Sequence, residues 1–313
     1  MRPPRPLSTV AAGALLLLLG AGCSIKKFAV NRVGDALAGG GTTFASDDDP
    51  ELIRAAVPFS LKLMESLLAE SPRHDGLLFA TASGFTQYAY AFVQMDADQL
   101  EDQDFAAAET LRARAKRLYL RARDYGLRGL EGRHPGFGAR LRADPKGAVA
   151  ASRVKDVPLL YWTAASWGSA VSLAKDDPDL IKDVPQVEAL IDRAEALAPD
   201  WSDGAIQAFL ITYEMARQGA TGDPAERSRR HFERAVALSR GQQAGPYVLL
   251  AEAVCVQKQD LSQFDALLAQ ALAVNPDATP EYRLVNLVMQ RRARWLQSRR
   301  GDLFLISEPS TAR

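Results

Sequence analysis

Histidine and cysteine are scarce in this chain of 313 residues, which contains three His and two Cys. The three histidines, His74, His134 and His231, are far apart and do not have the spacing of paired metal ligands, so no metal site is predicted. The sequence also lacks a GxSxG, an HExxH, a phosphate-binding glycine loop and a dinucleotide-binding fingerprint. We therefore expect a protein that is not an enzyme and that uses no cofactor.

Neither sign of charge is in excess, because 38 Lys and Arg balance 38 Asp and Glu. This balance gives no general attraction to nucleic acid, and no nucleic-acid partner is predicted. Runs of β-branched residues alternating with polar ones are also missing, whereas Ala, Leu, Arg and Glu dominate. With 47% hydrophobic residues the chain can bury a substantial core, and we predict an all-α protein.

The N-terminus has the three parts of a secretory signal, with Arg2 and Arg5 first, an apolar run over 10–19, and small residues before Cys23. The apolar run is shorter than the roughly 20 residues that a membrane-spanning helix needs. Small residues directly before a cysteine resemble the bacterial lipobox, although Gly20 stands where relatives usually carry Leu. The sequence predicts a cleaved signal over 1–22 and a lipidated Cys23; the alternative is an ordinary signal with an incidental cysteine.

Ser24, rather than Asp, follows the cysteine, and by resemblance to sorted lipoproteins this favours the inner leaflet of the outer membrane, facing the periplasm. Residues 23–49 are predicted to be the lipidated N-terminus and a tether, residues 50–304 the helical domain, and residues 305–313 a tail. The helical domain begins at an acidic triplet, and Asp49 before Pro50 is typical of a helix start. The second cysteine, Cys255, lies on an apolar helix and is predicted to be a core residue.

Residues 187–239 predict three helices separated by PDWSDG and GATGDP, because proline and glycine interrupt the helical periodicity. Asp223 and Pro224 are placed as the N-cap and first residue of the third helix. A bulky residue, a small residue and a helix end recur at tetratricopeptide-like spacing, as in Ile191, Ala194 and Pro199. We predict degenerate tetratricopeptide-like helical repeats that form a compact α-α superhelix. The alternative is a generic helical bundle.

Two aromatic groups and one basic helix are the candidate functional features. The ligand or pore candidates are Phe85, Tyr88, Phe92, Tyr161, Trp162 and Trp167. These rings suit either an apolar opening or ordinary core packing. The partner-surface candidates, on a predicted helix over about 105–130, are Arg112, Lys116, Arg117 and Arg121. This basic face suits either an acidic partner or phospholipid headgroups, or a solvated face paired with acids of the same helix.

Two connecting segments are predicted to be irregular. The acidic run over 96–104 is interpreted as a solvated loop, since it lacks the glycine and the terminal glutamate of a calcium loop. The run over 132–147, GRHPGFGARLRADPKG, is rich in Gly and Pro and is predicted to be a loop insertion.

Several blocks in order resemble one family, and they include SPRHDGLLFATASGFTQYAYAFVQ, DVPLLYWTAASWG, RRHFERAVALS and RLVNLVMQRRARWL. The resemblance is to the T-component family associated with tripartite ATP-independent periplasmic (TRAP) transporters, and it covers about residues 24–305. It implies a periplasmic lipoprotein of helical repeats, a homotrimer with a pore or cleft in each protomer, and the transporter's substrate-binding protein as partner. Gln207 stands where we expect relatives often to carry His, so a role for that His does not transfer.

Two functions are consistent with these features. The first is a transport accessory that binds the substrate-binding protein and an apolar ligand in an aromatic-lined pore or cleft. The second is an outer-membrane helical-repeat scaffold for envelope assembly, without a small ligand, and the basic helix motivates it.

Overall fold

A computed structural model describes residues 31–36, 39 and 41–305, and every regular element in that part of the chain is helical. The signal segment, Cys23 and most of the predicted tail lie outside the described residues. Within the predicted tether, residues 31–36 and 41–45 are helical. The all-α prediction is confirmed, while the tetratricopeptide-like superhelix stays a prediction.

The N-terminal half contains nine helices among the described elements with defined ends. They are α1 (Gly41–Ala45), α2 (Pro50–Glu70), α3 (Asp75–Ala89), α4 (Met95–Leu100), α5 (Phe105–Arg133), α6 (Phe137–Ala143), α7 (Pro145–Ala150), α8 (Val157–Ser172) and α9 (Pro178–Ile181). A π-helical turn, Tyr90–Gln94, joins α3 to α4 without a loop. A 3₁₀ turn, Val154–Asp156, precedes α8.

The C-terminal half continues with eight more helices in the same part of the chain. They are α10 (Val184–Leu197), α11 (Trp201–Ala216), α12 (Pro224–Leu238), α13 (Gly245–Leu250), α14 (Val256–Lys258), α15 (Leu261–Ala273), α16 (Arg283–Ser298) and α17 (Arg300–Leu303). A second π-helical turn, Ala251–Cys255, joins α13 to α14, and a 3₁₀ turn, Pro280–Tyr282, precedes α16.

Local capping explains where several helices begin. The Asp49 carboxylate accepts hydrogen bonds from the backbone N–H groups of Glu51 and Leu52, each at 3.0 Å. Asp223 accepts from the Ala225 N–H at 2.9 Å, directly before Pro224. These bonds satisfy amides that have no partner inside the helix, and both predicted helix starts are confirmed.

The connector PDWSDG ends in left-handed backbone. Ser202, Asp203 and Gly204 have φ values of 51°, 52° and 94°, so the regular part of α11 begins at Ala205, as predicted. A Cβ on Gly204 would lie 3.2 Å from the Cα of Ala235 on α12. Glycine therefore permits both the turn and the close approach of α11 to α12.

Helices pack in sequence along the chain. The most extensive contacts join α11 to α12, α3 to α5, α5 to α8, and α8 to α10. Buried side chains form an N-terminal cluster around Tyr119, a middle cluster around Leu160, a C-terminal cluster around Phe264, and a small cluster at Leu77. Cys255 is fully buried in the C-terminal cluster, which confirms the predicted core position.

Both segments predicted to be irregular contain helix, so the loop predictions were wrong for 96–100 and for most of 132–147, whereas 101–104 is non-helical and exposed. The acidic run begins inside α4, where Asp96 pairs with Arg54 of α2 and Asp98 pairs with Arg292 of α16. Ion pairs with residues of distant helices thus fix the position of a segment that its acidic charge alone would leave in solvent. In the second segment, Glu131 accepts hydrogen bonds from the N–H groups of Gly136 and Gly138 at the start of α6.

No helix in the described part of the chain combines the length and apolar character needed to cross a membrane.

Candidate functional site

The first aromatic group lies in the N-terminal core. Phe85, Tyr88 and Phe92 are 4% to 8% exposed and share one cluster. Phe85 stacks on Tyr125 with 6.2 Å between ring centroids, and Tyr88 lies 5.8 Å from Phe92. The Arg121 guanidinium covers Phe85 at 5.1 Å from the ring centroid. These rings contribute to packing, and their role in lining an opening stays a prediction.

The second group is centred on Tyr161 of α8, which is 9% exposed. Trp162 and Trp201 each lie 4.9 Å from the Tyr161 ring, and Phe209 lies 6.4 Å from it. Phe209 also stacks on Tyr213 at 5.4 Å. We call these five residues the Tyr161 cluster. Its four outer members are half-buried, so the cluster joins the core to the surface and presents aromatic area there.

Trp201, Phe209 and Tyr213 were missed as candidates. They lie on α11, which follows α8 only after α9 and α10, so the packing of α8 beside α10 and α11 is what brings them to Tyr161. The concentration of three rings over 201–213 was the available signal. Trp167, by contrast, is 5% exposed and lies under the Arg123 guanidinium at 5.0 Å. Its indole N–H has no acceptor among the described residues.

Polar groups border the Tyr161 cluster at Tyr213. The Tyr213 hydroxyl lies 3.4 Å from a Glu188 carboxylate oxygen, and the Arg217 guanidinium lies 5.3 Å from the Tyr213 ring centroid. Arg217 also pairs with Asp192 and with the buried Glu214. Burial, followed by the Glu188 charge, raises the pKa of Tyr213 well above its ordinary value. The border therefore offers one phenol, one guanidinium and carboxylates.

Gln207, where the resemblance led us to expect His, is 4% exposed on α11. Its amide donates to the Glu195 carboxylate at 3.3 Å and to the Pro199 carbonyl at 3.1 Å. Its carbonyl oxygen lies 2.7 Å from Nδ1 of His231 on α12. Desolvation lowers the pKa of His231. Gln207 therefore links α10, α11 and α12 through hydrogen bonds.

A buried ion cluster joins the two halves of the chain. Arg292 of α16 is 6% exposed and pairs with Asp98 of α4 at 2.9 Å and with Glu252. Tyr90 and Glu252 each lie in a π-helical turn, and the charges of Arg292, Glu252 and Asp98 act on the buried Tyr90 hydroxyl. π-helical turns are rare in proteins. Both segments that meet at this junction contain one beside the ion cluster.

The basic face of α5 is largely paired within the chain. Arg112 pairs with Glu101 at 2.7 Å and with Glu109 at 2.8 Å. Arg121 pairs with Glu65 at 2.5 Å, and Lys116 lies 3.8 Å from Asp177. Arg117 is exposed, and among the described residues no carboxylate pairs with it. Most acids that pair with the basic side chains of α5 come from other parts of the chain, which the sequence interpretation did not anticipate.

Two surface hollows lie away from the aromatic candidates. The larger, about 560 Å³, lies between α2, α4, α5 and α16 and is lined by Glu51, Arg54, Asp96, Gln99, Leu100, Gln103, Leu111 and Arg291. The smaller, about 260 Å³, is lined by Met215, Asp223, Pro224, Gln257 and Lys258. Neither includes the aromatic candidates. Among the described residues, His, Cys, Asp and Glu form no group able to hold a metal ion.

In the part of the chain that the structure describes, the fold is all-helical, with aromatic and ionic clusters between its helices. The profile of the TRAP transporter T-component family matches residues 46–304. An uncharacterized protein of Treponema pallidum (strain Nichols) is 30% identical over 307 residues, which cover 92% of this chain and 95% of the relative. The chain therefore belongs to the TRAP transporter T-component family, which confirms the resemblance. Its role is that of a transporter accessory, in a family that is not a known enzyme family.

Proposed function

We propose that this T-component is a periplasmic lipoprotein that binds the transporter's substrate-binding protein and an apolar ligand. The lipid on Cys23 anchors it to the inner leaflet of the outer membrane, and three copies form a homotrimer. The family membership supports the transport partner. The predicted signal and the small residues before Cys23 support the anchor.

The observation that carries the ligand is the Tyr161 cluster. Ligand sites in proteins are mostly apolar and aromatic, with a few polar groups that orient the ligand. Trp162, Trp201 and Phe209 provide half-buried aromatic surface around Tyr161. The Tyr213 border provides the polar groups. An apolar molecule with one polar end suits this combination, whereas Phe85, Tyr88 and Phe92 support the site from the neighbouring core.

The test uses Trp162→Ala in the full chain. Organic molecules that remain bound after purification are extracted and identified by mass spectrometry, and binding of 1-anilinonaphthalene-8-sulfonate is measured by fluorescence. We expect Trp162→Ala to lose the bound material and most of the probe signal, because truncation removes one wall of the cluster. Trp295→Ala, at a half-buried tryptophan of α16 outside the cluster, is the matched control and retains both.

Equal retention in the two variants, or recovery of no organic ligand from the unaltered protein, would contradict the ligand site. The protein partner is tested separately, by co-purification with the substrate-binding protein of the same transporter. The homotrimer is tested by light scattering of the purified protein.

The alternative scaffold function receives less support, because it was suggested by the basic face of α5 and most of that face is paired within the chain. Arg112, Lys116 and Arg121 have acidic partners in the chain. Charge reversal at the exposed Arg117 distinguishes the two functions. Loss of an envelope complex on charge reversal, together with recovery of no ligand from the unaltered protein, would favour the scaffold.

A further inference from the structure

Basic charge gathers in one segment of this otherwise neutral chain. Residues 132–155 contain six Lys and Arg and one acid, Asp144. The basic residues are Arg133, Arg140, Arg142, Lys146, Arg153 and Lys155. The segment comprises α6, α7 and the 3₁₀ turn before α8. The local excess of five positive charges is therefore carried on ordered structure and not on a solvated loop.

The two ends of this segment meet at one carboxylate. The fully buried Asp156 accepts hydrogen bonds from Arg133 at 3.2 Å and from the backbone N–H of Arg153 at 2.9 Å. It also lies 2.9 Å from Nε2 of His134. The segment is thus closed into a compact surface unit, which we call the basic lobe (residues 132–155).

Much of the positive charge on the lobe is exposed and has no acidic partner. Arg142, Lys146, Arg153 and Lys155 are exposed, and no carboxylate of the described residues pairs with them. Arg73, in the loop before α3, has the same properties. This differs from α5, whose basic side chains mostly neutralise acids of neighbouring helices. Exposed charge of one sign without internal partners is available to an external anionic surface.

The lobe lies beside the point where the chain leaves toward Cys23. The Asn31 carbonyl oxygen is 3.1 Å from Nε2 of His74 in the α2–α3 loop. The next residue, Asp75 at the start of α3, accepts from Arg133 at 3.0 Å, and Arg133 donates to the Lys155 carbonyl at 2.7 Å. Three consecutive contacts therefore connect the first described residue to both ends of the lobe.

The connecting chain is short compared with the protein. Seven residues lie between Cys23 and Asn31, and the eight Cα–Cα steps that join the two reach at most about 29 Å when fully extended. A folded chain of this length has a radius of gyration of about 19 Å, and hence a diameter of roughly 50 Å. If Cys23 holds the bilayer, the surface beside Asn31 is the one kept closest to the headgroups.

We propose that the basic lobe, with Arg73, is the membrane-facing surface of the anchored protein and binds anionic phospholipid headgroups. Each basic side chain near an anionic bilayer adds to the attraction, and one lipid anchor gains from a second, electrostatic contact. Val154, which is 61% exposed between Arg153 and Lys155, supplies an apolar tip at the interface. This inference rests on the proposed lipid anchor and fixes the orientation of the helical domain relative to the membrane.

The experiment measures how close the lobe lies to the bilayer. The lipidated protein carrying Val154→Cys is labelled with a fluorophore, since Cys255 is buried, and is placed on vesicles of phosphatidylethanolamine and phosphatidylglycerol that contain a headgroup quencher. Ile181→Cys is the matched label site, 41% exposed. It follows the far end of α8, a helix of 16 residues whose length is about 24 Å.

We expect the label at position 154 to be quenched several-fold more than the label at position 181. The triple change Arg142→Gln, Lys146→Gln and Lys155→Gln removes the difference, because three charges near an anionic surface correspond to about a hundredfold in relative preference. The control change Arg230→Gln, Arg240→Gln and Arg294→Gln alters three exposed arginines outside the lobe and leaves the difference intact. Vesicles of phosphatidylcholine reproduce the effect of the lobe change.

Equal quenching at the two positions, or quenching that the lobe change leaves unaltered, overturns the proposal. A lobe change that only abolishes co-purification of a protein partner also overturns it and assigns the lobe to that partner. Failure of the anchor itself has a different signature, because the unaltered protein then does not float with vesicles of either composition and its N-terminal peptide carries no acyl mass.

Discussion

The substitution Arg292→Gln examines the buried ion cluster that joins α4, the π-helical turn after α13, and α16. The Arg292 side chain is 7% exposed and donates to Asp98 at 2.9 Å and to Glu252 at 3.2 Å through its Nη1 and Nε groups. Glutamine keeps part of the volume and removes the charge, so Asp98 and Glu252 remain without their cation. Breaking a buried pair in this way costs about 3–5 kcal/mol of unfolding free energy.

The neighbouring Arg291→Gln is the matched control. Arg291 is 41% exposed and pairs with Glu51 at 3.0 Å, and an exposed pair contributes about 0–1 kcal/mol. Both variants are measured by urea unfolding followed by circular dichroism at constant pH and salt. A loss below about 1 kcal/mol for Arg292→Gln, or equal losses for the two variants, would refute the energetic role assigned to the cluster.

The same variant has a predicted pH dependence. Burial raises the pKa of Asp98 above its ordinary value, and Arg292 opposes that shift. A carboxyl with a raised folded-state pKa binds more protons in the folded state, so stability falls as pH rises through that pKa. Removing Arg292 raises the pKa of Asp98 further. The stability deficit of Arg292→Gln is therefore expected to be smaller at pH 5 than at pH 7, and a larger deficit at pH 5 would contradict this sign.

Three further predictions concern helix contacts, capping and the free thiol. A Cβ at Gly126 would overlap the Thr163 hydroxyl and lie 3.1 Å from the Thr163 Cβ. Gly126→Ala is therefore expected to lower the free energy of unfolding in urea by about 1–3 kcal/mol. The control Gly132→Ala has open space at its Cβ and is expected to be neutral or stabilising by up to about 1 kcal/mol. Asp223→Ala removes the N-cap of α12 and should cost about 1 kcal/mol by the same assay; no loss would contradict the cap. Burial raises the pKa of the Cys255 thiol to about 11, so iodoacetamide at pH 7.5 should modify it only after unfolding, and rapid alkylation of the folded protein would refute its burial.

Helix positions and helix ends could be predicted from the sequence because their signals are local. Asp49 before Pro50 and Asp223 before Pro224 supply capping carboxylates within three residues of the amides they satisfy. The break between helices at PDWSDG was predicted for the same reason, whereas its left-handed backbone at 202–204 is a finding of the structure. The apolar periodicity of the segments was sufficient for an all-helical fold, and the order of sequence blocks was sufficient for the family.

The candidate site stays a prediction, and its residues could be chosen from the sequence only in part. Tyr161 and Trp162 were identified from their concentration in α8, but Trp201 and Phe209 join them only because α8, α10 and α11 pack together. The partners of the α5 arginines could not be predicted from the sequence either, since Arg121 pairs with Glu65, 56 residues earlier in the chain.

The sequence by itself determined the helical class, several helix starts and the family of this protein, since each depends on residues close together in the chain or on their order. Only the tertiary structure decided which charges are neutralised and which remain exposed. In the acidic run at 96–104, Asp96 and Asp98 of the helical part pair with Arg54 and Arg292 from distant helices, whereas Arg142, Lys146, Arg153 and Lys155 of the basic lobe have no acidic partner among the described residues. The physical reason is distance: a charge pair gains energy only over a few ångströms, and the fold, not the spacing in sequence, sets that separation.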